Sequence, residues 1–169
     1  MLLITGATGN LGSSVVNQLL KISAAEHFIV TSSKQEGVDQ LIAQGLQARL
    51  ANFSKKETLI ETFKGIHQLL LVSTMDQNRF EQHQNVIDVA KEQGVKNIVY
   101  TSLAIRDIQT SGVKDLMISH FQTEDYLIKS GLNYTILRNT MYADALTQIL
   151  GPNALQQAIK LPGGNGKVP

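Results

Sequence analysis

With 169 residues, 43% hydrophobic and 17% charged, the chain suits one domain with a proper core and is too apolar for disorder. It has no cysteine, which excludes a disulfide scaffold, cysteine-ligated zinc and a thiol nucleophile. A net charge of +1 with no basic block gives no grip on a phosphate backbone, so no nucleic-acid partner is expected.

In chain order, short apolar runs alternate with longer amphipathic ones. The runs Leu2–Thr5, Phe28–Ser32, Gln47–Leu50, Gln68–Ser73, Asn97–Ser102 and Tyr134–Arg138 read as strands. Several place Ile, Val or Leu side by side, as strands buried on both faces require. Between them, Asn10–Lys21, Gly37–Gln44, Lys55–Lys64, Phe80–Gln93 and Ile118–Ser130 read as helices. Gly45, Gly65, Gly94 and Gly131 mark four of the helix ends. In the last helix Phe121, Tyr126, Leu127 and Ile128 are expected inward, with Glu124, Asp125 and Lys129 outward. Strand, helix and strand again predict an α/β parallel sheet covered on both faces. Beyond Arg138 lie an apolar-polar stretch to Leu150, a short helix at Asn153–Lys160 and a Gly- and Pro-rich tail. No run of about 18 apolar residues suggests a membrane span. The first residues, Met1–Thr5, lack a basic leader, so the cytoplasm is the expected location.

Gly6-Ala7-Thr8-Gly9-Asn10-Leu11-Gly12 sits between the first strand and the first helix, with glycines at G-x-x-G-x-x-G spacing. Gly6 allows the tight turn, Gly9 lets backbone approach a pyrophosphate, and Gly12 lets the helix pack closely. Backbone N–H groups at the helix start would then face the phosphates. This context predicts a Rossmann doubly wound sheet, six strands in the order 3-2-1-4-5-6, that binds a dinucleotide.

The second strand ends Val30-Thr31-Ser32-Ser33-Lys34, with no acid before Glu36. An acid there would accept hydrogen bonds from the ribose 2′-hydroxyl and repel a 2′-phosphate. Hydroxyls and an ammonium instead favour NADP(H) over NAD(H), though Lys34 also reads as a solvated surface charge. His27, His67, His83 and His120 show no ligand spacing, so no metal is expected. His83 is expected to shape a groove or satisfy a backbone group. No G-x-S-x-G elbow and no Walker loop is present, which argues against hydrolysis.

Ile4–Gly12, Leu69–Ser73, His83–Ile87, Tyr100–Ser102, His120 with Thr123 and Glu124, and Tyr134–Asn139 with Tyr142 together resemble the NmrA-like atypical short-chain dehydrogenase/reductases. Within that family the chain is most similar to the bacterial type-2 NAD(P)H:quinone oxidoreductases. The resemblance implies that Gly6, Ala7, Thr8, Gly9, Asn10 and Leu11 hold the pyrophosphate. Ser33 stands where relatives often have a phosphate-binding arginine, leaving Lys34 to serve. Asn52 replaces an aspartate that binds the adenine amino group. Ser73, Thr74, Met75, Thr101 and Ser102 would line the cofactor, with Arg138, Asn139 and Tyr142 on its nicotinamide and substrate side. Arg138 reads equally as a phosphate ligand or as a partner for a carboxylate. His120 reads as a substrate-side residue or as a surface pair with Glu124. Tyr142, His120 and Asn139 are the catalytic candidates.

The Tyr-x-x-x-Lys pair usual in short-chain dehydrogenases is missing: Tyr100, Tyr126, Tyr134 and Tyr142 are followed at that spacing by Ala104, Ser130, Arg138 and Leu146. Tyrosine-assisted carbonyl reduction is therefore not expected. The implied activity is direct hydride transfer from NADPH to a quinone-like acceptor, with a non-catalytic NADP-binding sensor as the alternative. Residues 1–150 are expected to form the nucleotide-binding domain and 151–169 the start of a truncated C-terminal substrate lobe, its open face covered by a second subunit in a homodimer.

Overall fold

The computed structural model describes residues 1–140 and 142. The chain divides into two units, Met1–Arg138 and Asn139–Pro169. The helix expected at Asn153–Lys160 lies outside the described residues.

In chain order the elements are β1 (Leu2–Ile4), α1 (Asn10–Leu19), a 3₁₀ turn (Ala25–His27), β2 (Phe28–Ser32), α2 (Gln35–Ala43) and β3 (Ala48–Leu50). They continue with α3 (Lys56–Phe63), β4 (Gln68–Leu71), α4 (Arg79–Glu92), β5 (Asn97–Leu103), α5 (Lys114–Lys129) and β6 (Asn133–Asn139). The sheet order is β3-β2-β1-β4-β5-β6, as the sequence predicts. Leu3 pairs in parallel with Ile29 on one side and Leu69 on the other. The winding direction thus reverses between β1 and β4, the kind of point at which open α/β sheets bind their ligands.

Strand side chains alternate between two cores. Leu3, Ile29, Leu69, Leu71 and Ile98 face a layer that includes Leu59 and Phe63 of α3, Val86 and Ile87 of α4 and Leu127 of α5. Ile4, Phe28 and Val30 face Val16 of α1 and Leu41 of α2. Each such fully buried side chain contributes about 1.5–3 kcal/mol. Gly45, Gly65, Gly94 and Gly131 all have φ between 76° and 83°, the left-handed turn expected at those helix ends. No helix among the described residues is long and apolar enough to cross a membrane.

The last helix corrects the sequence reading. α5 buries His120, Thr123, Glu124 and Leu127, while Ile128 is exposed. Glu124 therefore points inward, and the surface pair with His120 does not exist. The buried stripe keeps helical spacing but is mostly polar, so hydropathy alone selects the wrong face. α5 also begins four residues before the expected Ile118, at Lys114.

Candidate functional site

The glycine loop is built from the strand ends beneath it. Thr5 joins β1 to β4: its N–H and its hydroxyl both donate to the Leu70 carbonyl, and its Oγ1 accepts from the Val72 N–H at 2.9 Å. Gly6 then turns with φ +65°, a conformation that side chains resist. The Ala7 N–H donates to the Thr31 carbonyl, and the Gly9 N–H returns to the Gly6 carbonyl at 2.9 Å.

The three glycines are required for different reasons. Gly6 needs its left-handed φ. A Cβ on Gly12 would lie 2.1 Å from the Gly6 oxygen, so that glycine is required by the packing of α1 against the loop. Gly9 has an ordinary φ of −89°, and a Cβ there would meet only the Gly6 oxygen, at 3.4 Å. Neither backbone strain nor packing calls for glycine at position 9. Gly9 is the N-cap of α1, a position that favours glycine over apolar side chains, and its lack of a side chain leaves the main chain open to a ligand. Thr8, Gly9 and Asn10 are exposed and Leu11 is half-buried. The first turn of α1 has no acidic side chain, so its positive dipole end has no carboxylate from within that turn.

Beside this loop, the buried Ser32 hydroxyl accepts the Lys34 N–H at 3.3 Å. A Cβ on Gly37 would fall 2.2 Å from that oxygen and 3.2 Å from the Thr8 methyl, so Gly37 lets α2 settle on the strand end. That close seating also explains why α2 starts at Gln35, ahead of the expected Gly37. Ser33 and Lys34 are left exposed next to the loop. After β3, the Asn52 carboxamide oxygen accepts the Ser54 N–H at 3.0 Å. One lone pair of that oxygen is thereby engaged and one is left for a ligand.

After β4 the backbone is held on all sides. Thr101 accepts the Ser73 N–H at 2.9 Å, and His83 Nε2 accepts the Thr74 N–H at 3.4 Å. The Thr74 hydroxyl donates to Gln82, and its carbonyl accepts from Arg79 Nε at 2.5 Å. Met75, next in the chain, is 82% exposed. Thr101 and Ser102 are buried, so their hydroxyls act on neighbouring protein groups.

Below this rim α4 and α5 face each other across a polar interior. The Thr123 hydroxyl donates to the Ser119 carbonyl, so it accepts from His83 Nδ1–H at 3.1 Å and fixes the neutral tautomer of that ring. Burial, together with the charges of His120 and Arg79, lowers the His83 pKa to about 3. His120 Nδ1 meets the Tyr100 hydroxyl at 2.9 Å, and burial with the nearby Arg79 lowers its pKa to about 4. Burial likewise pushes the Tyr100 phenol well above its ordinary value. Glu124 accepts from the Ser102 hydroxyl and from Arg138 Nε at 3.1 Å and Nη2. Arg138 thus pairs with a carboxylate in this structure, and that pairing raises its own pKa. The sequence carries one signal for this interior, Arg79 and His83 at i and i+4 on one helix, and none that places Tyr100, Thr123 or Glu124 inside.

The first unit therefore brings the loop 6–11, residues 73–75, and Thr101 and Ser102 to the carboxyl ends of neighbouring strands, with Ser33 and Lys34 alongside. Asn139 and Tyr142 belong to the second unit, where the Asn139 amide donates to the Tyr142 hydroxyl at 2.8 Å.

Residues 6–165 match the model of an NAD(P)H-binding family. Quinone oxidoreductase 2 of Escherichia coli (strain K12) is 36% identical over 99% of this chain and 58% of its own length. An NmrA-like family domain-containing oxidoreductase of Aspergillus flavus is 29% identical over 88% of this chain and 50% of its own. Among solved structures, the Citrobacter sp. triphenylmethane reductase complexed with NADP(H) superposes with a TM-score of 0.78 at 32% identity, covering 86% of this chain and 51% of that one. The Escherichia coli NADPH-dependent quinone oxidoreductase complexed with NADPH gives a TM-score of 0.78 at 37% identity, covering 89% and 53%. The chain thus spans about half the length of these relatives. On the family match and the glycine loop together, the chain belongs to the NmrA-like, NAD(P)H-binding family.

Proposed function

We infer that this chain binds NADPH in preference to NADH and serves hydride transfer from the nicotinamide to a quinone-like acceptor. The observation that carries the reading is Gly9, exposed at the start of α1, where neither strain nor close packing calls for a glycine and the bare main chain leaves room for a diphosphate. Loop residues 6–11 would hold the diphosphate, and Ser33 with Lys34 the 2′-phosphate. Asn52 would accept from the adenine amino group, and Ser73, Thr74 and Met75 would border the nicotinamide half. Thr101 and Ser102 would act one layer below, Thr101 by holding the Ser73 N–H. Arg138 keeps its place beside the site through Glu124, while Asn139 and Tyr142 are assigned to the substrate side. When bound, the cofactor supplies the hydride; the protein aligns it and excludes water. A hydroquinone oxygen takes its proton from solvent, so no Tyr/Lys pair is needed. A homodimer would cover the open face, and the cytoplasm would supply the reduced cofactor.

A second reading, an NADP-binding sensor without turnover, draws on the interior: Tyr100 and His120 are both buried, which withholds them as proton donors. NADPH consumption with menadione as acceptor separates the two. Oxidation above the uncatalysed rate supports the reductase; tight binding with no oxidation selects the sensor.

The 2′-phosphate assignment has its own test. Lys34→Ala is expected to weaken NADPH binding about tenfold, the value of one charge-assisted contact at the surface, and to leave NADH unchanged. Equal weakening of both cofactors in calorimetric titrations would remove Lys34 from the phosphate site.

A further inference from the structure

Arg79 is 2% exposed, yet its guanidinium has no carboxylate within ion-pair distance among the described residues. Its acceptors are neutral and come from two separate segments. Nε donates to the Thr74 carbonyl in the loop after β4. Nη1 donates to the Leu116 carbonyl at 3.2 Å and to Ser119 Oγ at 2.6 Å, both in the first turns of α5. A buried cation set against neutral dipoles is costly, and an apolar side chain of similar volume would fill the space more cheaply. What the planar fork adds is geometry, because it holds three acceptors at fixed positions.

The position of those acceptors matters. A dinucleotide stretched across the reversal point has its diphosphate on the loop after β1 and its adenosine toward β2, where Ser33 and Lys34 stand. The remaining, nicotinamide half must then lie on the β4 side, over Ser73 and Thr74. Thr101 and His83 already hold the N–H groups of those two residues. Arg79 holds the next atom, the Thr74 carbonyl, and through the same guanidinium ties it to α5.

We propose that Arg79 is a positioning residue that locks the Thr74 segment to the start of α5 and so shapes the seat of the nicotinamide half of the cofactor. This rests on the dinucleotide reading above. It adds a division of labour: the glycine loop holds the diphosphate-adenosine half, and the Arg79 link orders the reactive half.

The test is a pair of titrations on the 169-residue chain, with NADPH and with 2′-phospho-ADP-ribose, which lacks the nicotinamide. In the unsubstituted protein NADPH is expected to bind more tightly than the fragment. Arg79→Met is expected to weaken NADPH about tenfold and leave the fragment unchanged, so that the advantage of NADPH shrinks toward none. Arg79→Lys, which keeps the charge but not the fork, should recover only part of it. Binding of the fragment serves as the check that each variant is folded. If Arg79→Met does not fold, Ser119→Ala, which removes one acceptor on α5, should show a smaller loss in the same sense. Equal weakening of both ligands would reduce Arg79 to a general structural group, and unchanged NADPH binding in the folded variants would overturn the proposal outright. Failure of the unsubstituted protein to bind either ligand would overturn the dinucleotide reading itself, and this proposal with it.

Discussion

Gly9→Val is expected to weaken NADPH binding by at least about a hundredfold, ~2.7 kcal/mol, while the protein stays folded. The backbone at Gly9 lies in a region open to any residue, with φ −89° and ψ 169°. A Cβ meets only the Gly6 oxygen at 3.4 Å, an ordinary contact. Valine at this N-cap position costs only about 1 kcal/mol of helix stability, a shift of roughly 2–4 °C in melting temperature for a chain of this size. The branched side chain would nonetheless occupy the space a diphosphate needs to reach the main chain. Gly12→Ala should behave in the opposite way, because its methyl would sit 2.1 Å from the Gly6 oxygen and force loop and helix apart. Parallel calorimetric titrations and thermal melts of the two variants check this. Undiminished binding in Gly9→Val would mean that the ligand lies elsewhere.

Acid should destabilise the fold well before its carboxylates protonate. His83 and His120 are buried, with pKa values lowered to about 3 and about 4 from 6.5. The geometry gives the reason for His83. Its Nε2 accepts the Thr74 N–H, so a proton there would set two donors against each other. The stability tied to these neutral rings is complete above the unfolded pKa. Between pH 6.5 and the lowered values the unfolded chain takes up protons that the folded one refuses, so stability falls with pH. Each imidazole contributes about 1.4 kcal/mol per pH unit within that window. Urea unfolding at pH 7.5 and pH 5.5 should therefore differ by about 2–3 kcal/mol. His120→Gln should reduce that dependence by about half. A flat profile would mean that the interior admits protons.

The scaffold could be read from residues because local signals agreed with one another. Apolar runs gave the strands, glycines gave the helix ends, and G-x-x-G-x-x-G between strand and helix gave the topology. Boundaries slipped where tertiary packing decided them: Gly37 belongs inside α2 because the helix must approach Ser32. The interior between α4 and α5 was not readable in the same way. Arg79, His83, His120 and Glu124 are polar types that ordinarily face water. Their burial depends on partners distant in sequence, such as His83 with Thr123 and Glu124 with Ser102 and Arg138. No periodicity in one segment announces a partner in another. Of Arg138's two readings, phosphate or carboxylate, the structure shows the second, and only the fold could show that Glu124 stands within reach.

A crystal structure of the 169-residue chain with NADPH tests the central assignment most directly. It should show diphosphate oxygens within hydrogen-bond distance of the main-chain N–H groups of loop 6–11, with the 2′-phosphate beside Lys34. Nucleotide seated anywhere else, or a glycine loop still bare at saturating NADPH, would contradict it.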